Sequence, residues 1–192
     1  ESDYRSNAVS LLASQHSPSK NTTVNVGFGH VDDLINPTNR VVMDAAKQTN
    51  EVLLGLSQIL TPVDIVQFNL SKSFGHGYFT DPYKLLDNRP NKRINTALLT
   101  RWNHHFEGMQ ASLRLSSRIY KDSFHIRSMT WTAEWAQEFG NDWTVTPMYR
   151  AYRQSAAYFY VPADPTAPDM INLPVGTIPG VSFLSLDQRL SA

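Results

Sequence analysis

Apolar and polar residues alternate at every second position along most of the chain, in runs of about ten residues, and helical periodicity is almost absent. The alternation predicts nine strands: 4–14, 22–30, 51–60, 65–74, 93–103, 109–120, 125–137, 143–153, and a last one from Phe183 to Ala192. In the second, Val24, Val26 and Phe28 share one face and Asn25, Gly27 and Gly29 the other. The third puts Val52, Leu54 and Leu56 together; the fourth sets Val66, Phe68 and Leu70 against Gln67, Asn69 and Ser71. The sixth is the clearest, with Gln110, Ser112, Arg114, Ser116 and Arg118 opposite Ala111, Leu113, Leu115 and Ile119. In the seventh, Met129, Trp131, Ala133 and Trp135 oppose Ser128, Thr130, Thr132 and Glu134. The eighth sets Trp143, Val145 and Tyr149 against Thr144, Thr146 and Arg150.

The links alternate in length. Short turns are expected at 17–21, 61–64, 106–108 and 140–142, most of them holding Pro, Gly, Asn or Asp. Longer links are expected at 31–50, 75–92 and 156–182, with the short link 121–124 as the exception. Short turns on one rim and long loops on the other are the pattern of an outer-membrane barrel. Strand length points the same way, since soluble strands cluster near five or six residues. Aromatics near strand ends (Phe74, Trp102, Tyr120, Trp143) fit interfacial girdles.

The expected fold is therefore all-β: an antiparallel up-and-down transmembrane β-barrel, one domain over residues 1–192. A single-chain bacterial barrel has an even strand count. Nine strands do not close, so the chain is expected to be a fragment of a longer barrel. The other reading of the same pattern is a soluble or secreted β-barrel that binds a ligand, as lipocalins do.

Composition narrows the functions. Lys plus Arg and Asp plus Glu are both 17, so no basic footprint for nucleic acid exists. The chain has no cysteine, which removes disulfides, thiol nucleophiles and thiolate metal sites. No apolar run reaches the 18 residues of a membrane-spanning helix.

One set of segments carries a resemblance. It comprises Gly77-Tyr78-Phe79-Thr80-Asp81-Pro82-Tyr83-Lys84, Asn88-Arg89-Pro90 and Arg93. It continues with Arg118-Ile119-Tyr120-Lys121-Asp122-Ser123-Phe124, Ile126-Arg127-Ser128 and Pro147-Met148-Tyr149-Arg150. Gln154-Ser155-Ala156-Ala157-Tyr158-Phe159-Tyr160 completes it. The set resembles a bacterial domain-of-unknown-function family whose members look like outer-membrane barrels longer than this chain. The resemblance implies a barrel in the Gram-negative outer membrane, in contact with lipid and envelope proteins; it implies no activity.

Candidate chemistry follows from parity. Arg101, Arg114, Arg118, Glu134 and Arg150 are expected to face the lumen, joined by Glu51, Asp187 and Arg189. Such a set either lines an anion-attracting pore or fills a narrow barrel with a salt-bridge network. Arg127 has the opposite parity and is placed at a rim. The loop residues Asp81, Pro82, Tyr83, Lys84, Asn88, Arg89 and Pro90 either brace the barrel mouth or fold inward to recognise something. His104 and His105 should face opposite sides, while His30 and His76 sit at loop bases and could meet. No spacing matches a metal motif, no cofactor-binding loop is present, and no nucleophile elbow supports an enzyme, though barrel hydrolases with scattered Ser and His exist. Residues 158–182 hold Pro162, Pro165, Pro168, Pro174 and Pro179, too many for a strand. The reading is an outer-membrane barrel that is a porin-like channel or a scaffold for envelope partners.

Overall fold

The structure, a computed structural model, describes residues 3–84, 87–140 and 143–160. Its strands are β1 (Tyr4–His16), β2 (Thr22–Ile35), β3 (Ala45–Thr61), β4 (Asp64–Gly77), β5 (Lys92–Phe106), β6 (Ala111–Asp122), β7 (Arg127–Phe139), β8 (Trp143–Val145) and β9 (Met148–Gln154). From β1 to β8 each strand pairs antiparallel with the next in sequence, and β9 also pairs with β7, giving one antiparallel up-and-down sheet. The sheet is open: among the described residues β1 does not pair with β8 or β9.

β8 and β9 both pair with β7, and the register runs on unbroken from Gln137↔Val145 to Glu134↔Met148. They are one strand interrupted at Pro147. Proline has no N–H to give the ladder, although its carbonyl still accepts from Trp135 at 3.1 Å. Among the described residues this strand is the edge of the sheet, where a missing donor is tolerated.

The strands outrun their predicted limits at the long-loop rim. Residues 31–35 and 45–50 pair with one another, so the expected link 31–50 shrinks to 36–44. Apolar and polar residues mix on both faces there, with Asp33 between Val31 and Ile35 and Asp32 beside Leu34, which erases the alternation, and a Lys47–Asp33 ion pair at 2.9 Å spans the two strands. At the opposite rim β6 starts at Ala111, two residues later than predicted. Residues Glu107–Met109 form a 3-10 turn, and Gln110 has a left-handed φ of 48° that no strand accommodates. The expected ninth strand, with Asp187 and Arg189, and the prolines from Pro162 onward lie outside the described residues.

The buried apolar core is small and lies at the long-loop rim. Phe124, Ile126, Ala157 and Phe159 form it, with Tyr120 and Tyr160 packed alongside. Along the sheet itself, one face is apolar and exposed and the other is polar.

Candidate functional site

Register brings the predicted polar residues together. On β5 to β9, Arg101, Ser116, Thr132 and Arg150 form one row across the sheet. The row on one side runs Asn103, Arg114, Glu134, Met148; on the other, Leu99, Arg118, Thr130, Tyr152. Alternation thus places Arg101, Arg114, Arg118, Glu134 and Arg150 on one face in three adjacent rows. Arg114 pairs with Glu134 at 2.8 Å. Arg118 lies over the Tyr120 ring at 5.4 Å. Arg101 reaches Gln67 at 3.4 Å, and its buried Nε meets no acceptor among the described residues. Four arginines against one glutamate leave a net excess of three positive charges on this patch. Glu51 shares the face but stands on β3. There Gly27 and Gly29 leave room for a cavity of about 330 Å³ beside Leu12, Leu53 and Glu51.

The links at the long-loop rim fold over the edge of this polar face. Phe79 lies against Gly75, and Phe124 packs edge-on against both Phe79 and Phe159. Arg93, opposite Gly75, stacks under Phe124 at 4.9 Å and pairs with Asp122 at 2.7 Å. Tyr120 also hydrogen-bonds Asp122. Tyr120 therefore belongs to the polar face and not to an aromatic girdle as expected, because its hydroxyl finds a buried carboxylate there.

The loop motif is tied down at both ends. The Tyr83 hydroxyl donates to the Asp3 carboxylate, the Thr38 N–H donates to the Tyr83 oxygen at 3.0 Å, and Asn39 donates to the Pro82 carbonyl at 2.7 Å. Lys84 pairs with Asp81 at 3.6 Å. Arg89 pairs with the fully buried Asp87 carboxylate at 2.9 Å, which also accepts from the Asp81 N–H. Asn88 is exposed and Pro90 half-buried. Burial, then the Asp87 and Asp81 carboxylates, push the Tyr78 phenol above its ordinary range. Neither parity nor spacing marks Asp87, Arg93, Asp122 and Phe79 as site residues. They lie inside or beside the motifs, but only the fold shows that they meet.

Hydrogen bonds from the Thr38 and Tyr83 hydroxyls hold the Asp3 carboxyl below the usual range. A depressed carboxyl stabilises the fold above its ordinary range and ceases to as pH falls through the depressed value. The tether at Asp3 is therefore expected to loosen in acid. Hydrogen exchange of 78–84, corrected for intrinsic rates, should rise between pH 6 and 3. In Asp3→Asn it should be raised already at pH 6 and show little further change. Equal pH dependence in both proteins would disprove the tether.

The opposite face is mainly apolar over the middle of the strands. Neighbouring rows run Val26, Leu54, Leu70, Leu98, Ile119, Met129 and Phe28, Val52. Phe28 is 52% exposed, Trp131 53% and Trp143 75%. All four tryptophans of the chain stand on this face. Near the short-turn rim Trp102, His104, Phe106 and Trp135 stack in sequence, with centroids 5.6, 4.4 and 5.2 Å apart. Asp64 there accepts from Trp102 and pairs with His104 at 2.7 Å.

The histidines do not converge. His104 and His105 face opposite sides, His105 meeting Ser112. His30 stands opposite Asn50 and His76 opposite Gln48, so His30 and His76, which could have met at the loop bases, stay on separate rungs. Each is bound into its own rung of the ladder. Among the described residues no three metal-ligating side chains gather.

These features define a class: an all-β protein built as one open antiparallel meander, apolar on one face and arginine-rich on the other. The chain belongs to the family described as protein of unknown function DUF3570, whose model matches residues 38–192. No curated protein and no solved structure matches the chain.

Proposed function

We propose that this chain is part of the wall of a β-barrel in the Gram-negative outer membrane, and that the barrel is a channel favouring anions. The observation that carries the proposal is the exposed, mainly apolar face that runs across the sheet from β2 to β9. Water penalises such a face by about 25 cal/mol per Å², and soluble monomers rarely expose large contiguous apolar patches. Lipid removes the penalty. The eight-residue step from Asp64 to Lys72 covers about 26 Å along the strand, or about 20 Å when tilted, close to the ~25 Å belt of such barrels. The arginine excess would then line the lumen, where it attracts anions. A soluble ligand-binding barrel would turn its apolar face inward under its loops; here the loops cover the polar face.

A second reading, a closed barrel scaffolding envelope partners, is favoured by the Phe79–Phe124–Phe159 cover at one rim.

Tryptophan fluorescence tests the wall. With the full-length protein in vesicles, lipids brominated on their acyl chains should quench most of the emission, and aqueous acrylamide little. The reverse pattern would refute membrane insertion. Planar-bilayer recording tests the channel. Anion preference is expected, moving toward unity when Arg101, Arg118 and Arg150 are changed together to Gln; equal permeability in the wild type would rule out the arginine-lined pore, and a silent inserted barrel would favour the scaffold.

A further inference from the structure

Above the apolar belt, toward the long-loop rim, the outward face turns cationic. The row Val52, Lys72, Thr96, Lys121, Arg127 crosses four strand pairs in register and ends at Ser155, just past β9, whose N–H donates to the Arg127 carbonyl at 2.9 Å. Lys121 and Arg127 stand directly opposite each other, and Arg153 lies on the diagonal from Arg127, opposite Met129. Like charges directly opposite destabilise a sheet. Lys72 is partly accommodated over the Phe74 ring at 5.3 Å. Lys121, Arg127 and Arg153 are all exposed, and no ion pair joins any of them to a carboxylate among the described residues. The acidic groups nearby, Asp122 above all, point to the other face and are already paired. A cleft of about 630 Å³ lies among the three cations, with Ile119 and Met129 as its apolar wall.

We propose that Lys121, Arg127 and Arg153 form a site for the phosphate groups of a membrane lipid headgroup. The inference rests on the reading that the apolar face meets lipid. Charge chooses the headgroup: three uncompensated cations within one or two rungs need an anion, and phosphate offers several acceptor oxygens to guanidinium donors. Continuity chooses a lipid over free phosphate. Ile119, Met129 and Trp131 carry the cleft straight onto the belt, so one amphiphile fills both parts: phosphate on the cations, acyl chains below. The site also gives the barrel an orientation, with the long-loop rim in the leaflet that holds phosphorylated lipid.

The test uses the full-length protein, reconstituted and then extracted in mild detergent, with bound lipid read by native mass spectrometry. The probe is bis-phosphorylated lipid A, beside its dephosphorylated form. The wild type should retain the phosphorylated form selectively. Each single change, Lys121→Gln, Arg127→Gln or Arg153→Gln, should weaken retention about fivefold and the triple change about a hundredfold, at about 1 kcal/mol per basic residue. The exchange Lys121→Arg, Arg127→Lys, Arg153→Lys should restore most of it. Equal retention by the wild type and the triple variant would overturn the site. So would equal binding of the dephosphorylated lipid, or full displacement by millimolar inorganic phosphate. Tryptophan quenching in brominated zwitterionic vesicles, measured on the same proteins, separates the two failures. Normal quenching with no selective retention removes the site and keeps the wall. Loss of quenching in the wild type removes both.

Discussion

Replacing Asp122 with alanine should destabilise the protein by about 3–5 kcal/mol, the usual cost of stranding one partner of a buried ion pair. The Asp122 side chain is fully buried. One carboxylate oxygen accepts from Arg93 at 2.7 and 3.0 Å and from the Tyr120 hydroxyl at 2.9 Å. The other accepts from the backbone N–H groups of Phe124 and Ile126, each at 3.0 Å, and so shapes the tight β6–β7 link. Alanine leaves the Arg93 guanidinium without its counter-charge beneath Phe124 and strips both amides of their acceptor. Asp122→Asn keeps the shape and should cost less. Adding Arg93→Met to Asp122→Ala should recover part of the loss, because the stranded charge goes with it. Equilibrium unfolding of the wild type, Asp122→Ala, Arg93→Met and the double variant in one detergent measures this coupling. Additive losses would mean that the pair contributes nothing beyond its separate parts. On the channel reading, Asp122→Ala should also raise unit conductance, since Phe124 holds Phe79 and Phe159 over the polar face.

The first eight strands, their pairing order and the sorting of faces were legible in the sequence because one physical constraint repeats along the chain. Each strand alternates between an apolar and a polar side, so Val24, Leu54, Phe68, Leu98 and Ile119 declare their face without knowledge of their neighbours. The arginine set was legible for the same reason: parity alone puts Arg101, Arg114, Arg118 and Arg150 together. What parity cannot show is where a strand ends when polar and apolar residues mix on both of its faces. Asp33 and Lys47 look like loop residues until their ion pair is seen. Parity is also blind to the contacts of links. Phe79, Phe124 and Phe159 come from three separate connections, and no local pattern foretells that they share a core. Tyr120 misled because an aromatic near a strand end fits a girdle as well as a buried hydroxyl. Pro147 divides its strand through a missing donor, a local effect that leaves the register intact.

Gly77→Ala should cost about 3 kcal/mol or more, combining backbone strain with a steric collision. Gly77 ends β4 with φ at 122°, a conformation that L side chains rarely adopt. A Cβ there would collide with the Ala46 carbonyl oxygen and stand 2.7 Å from the Lys47 Cα, both backbone atoms of the paired strand. Neither can move without disturbing the ladder: the Ala46 carbonyl accepts the Tyr78 N–H at 2.9 Å, and the Gly77 N–H donates to the Asn91 carbonyl at 2.8 Å. This exit from the sheet is what turns the chain so that Phe79 folds back over Gly75. Gly75→Ala should be milder, about 1–2 kcal/mol, because the atom in its way is the Phe79 ring, which can rotate. Gly29→Ala is the control. Its Cβ would meet only the Glu51 Cβ at 4.0 Å, so stability should hold or rise by about 0.5 kcal/mol as the unfolded chain loses freedom. Denaturant midpoints for the three variants should fall in that order, with Gly77→Ala also exposing 78–84 to proteolysis. A Gly77→Ala protein as stable as Gly29→Ala would mean that the exit is not fixed at Gly77, and the tether from Tyr83 to Asp3 would then have to hold the loop over the polar face alone.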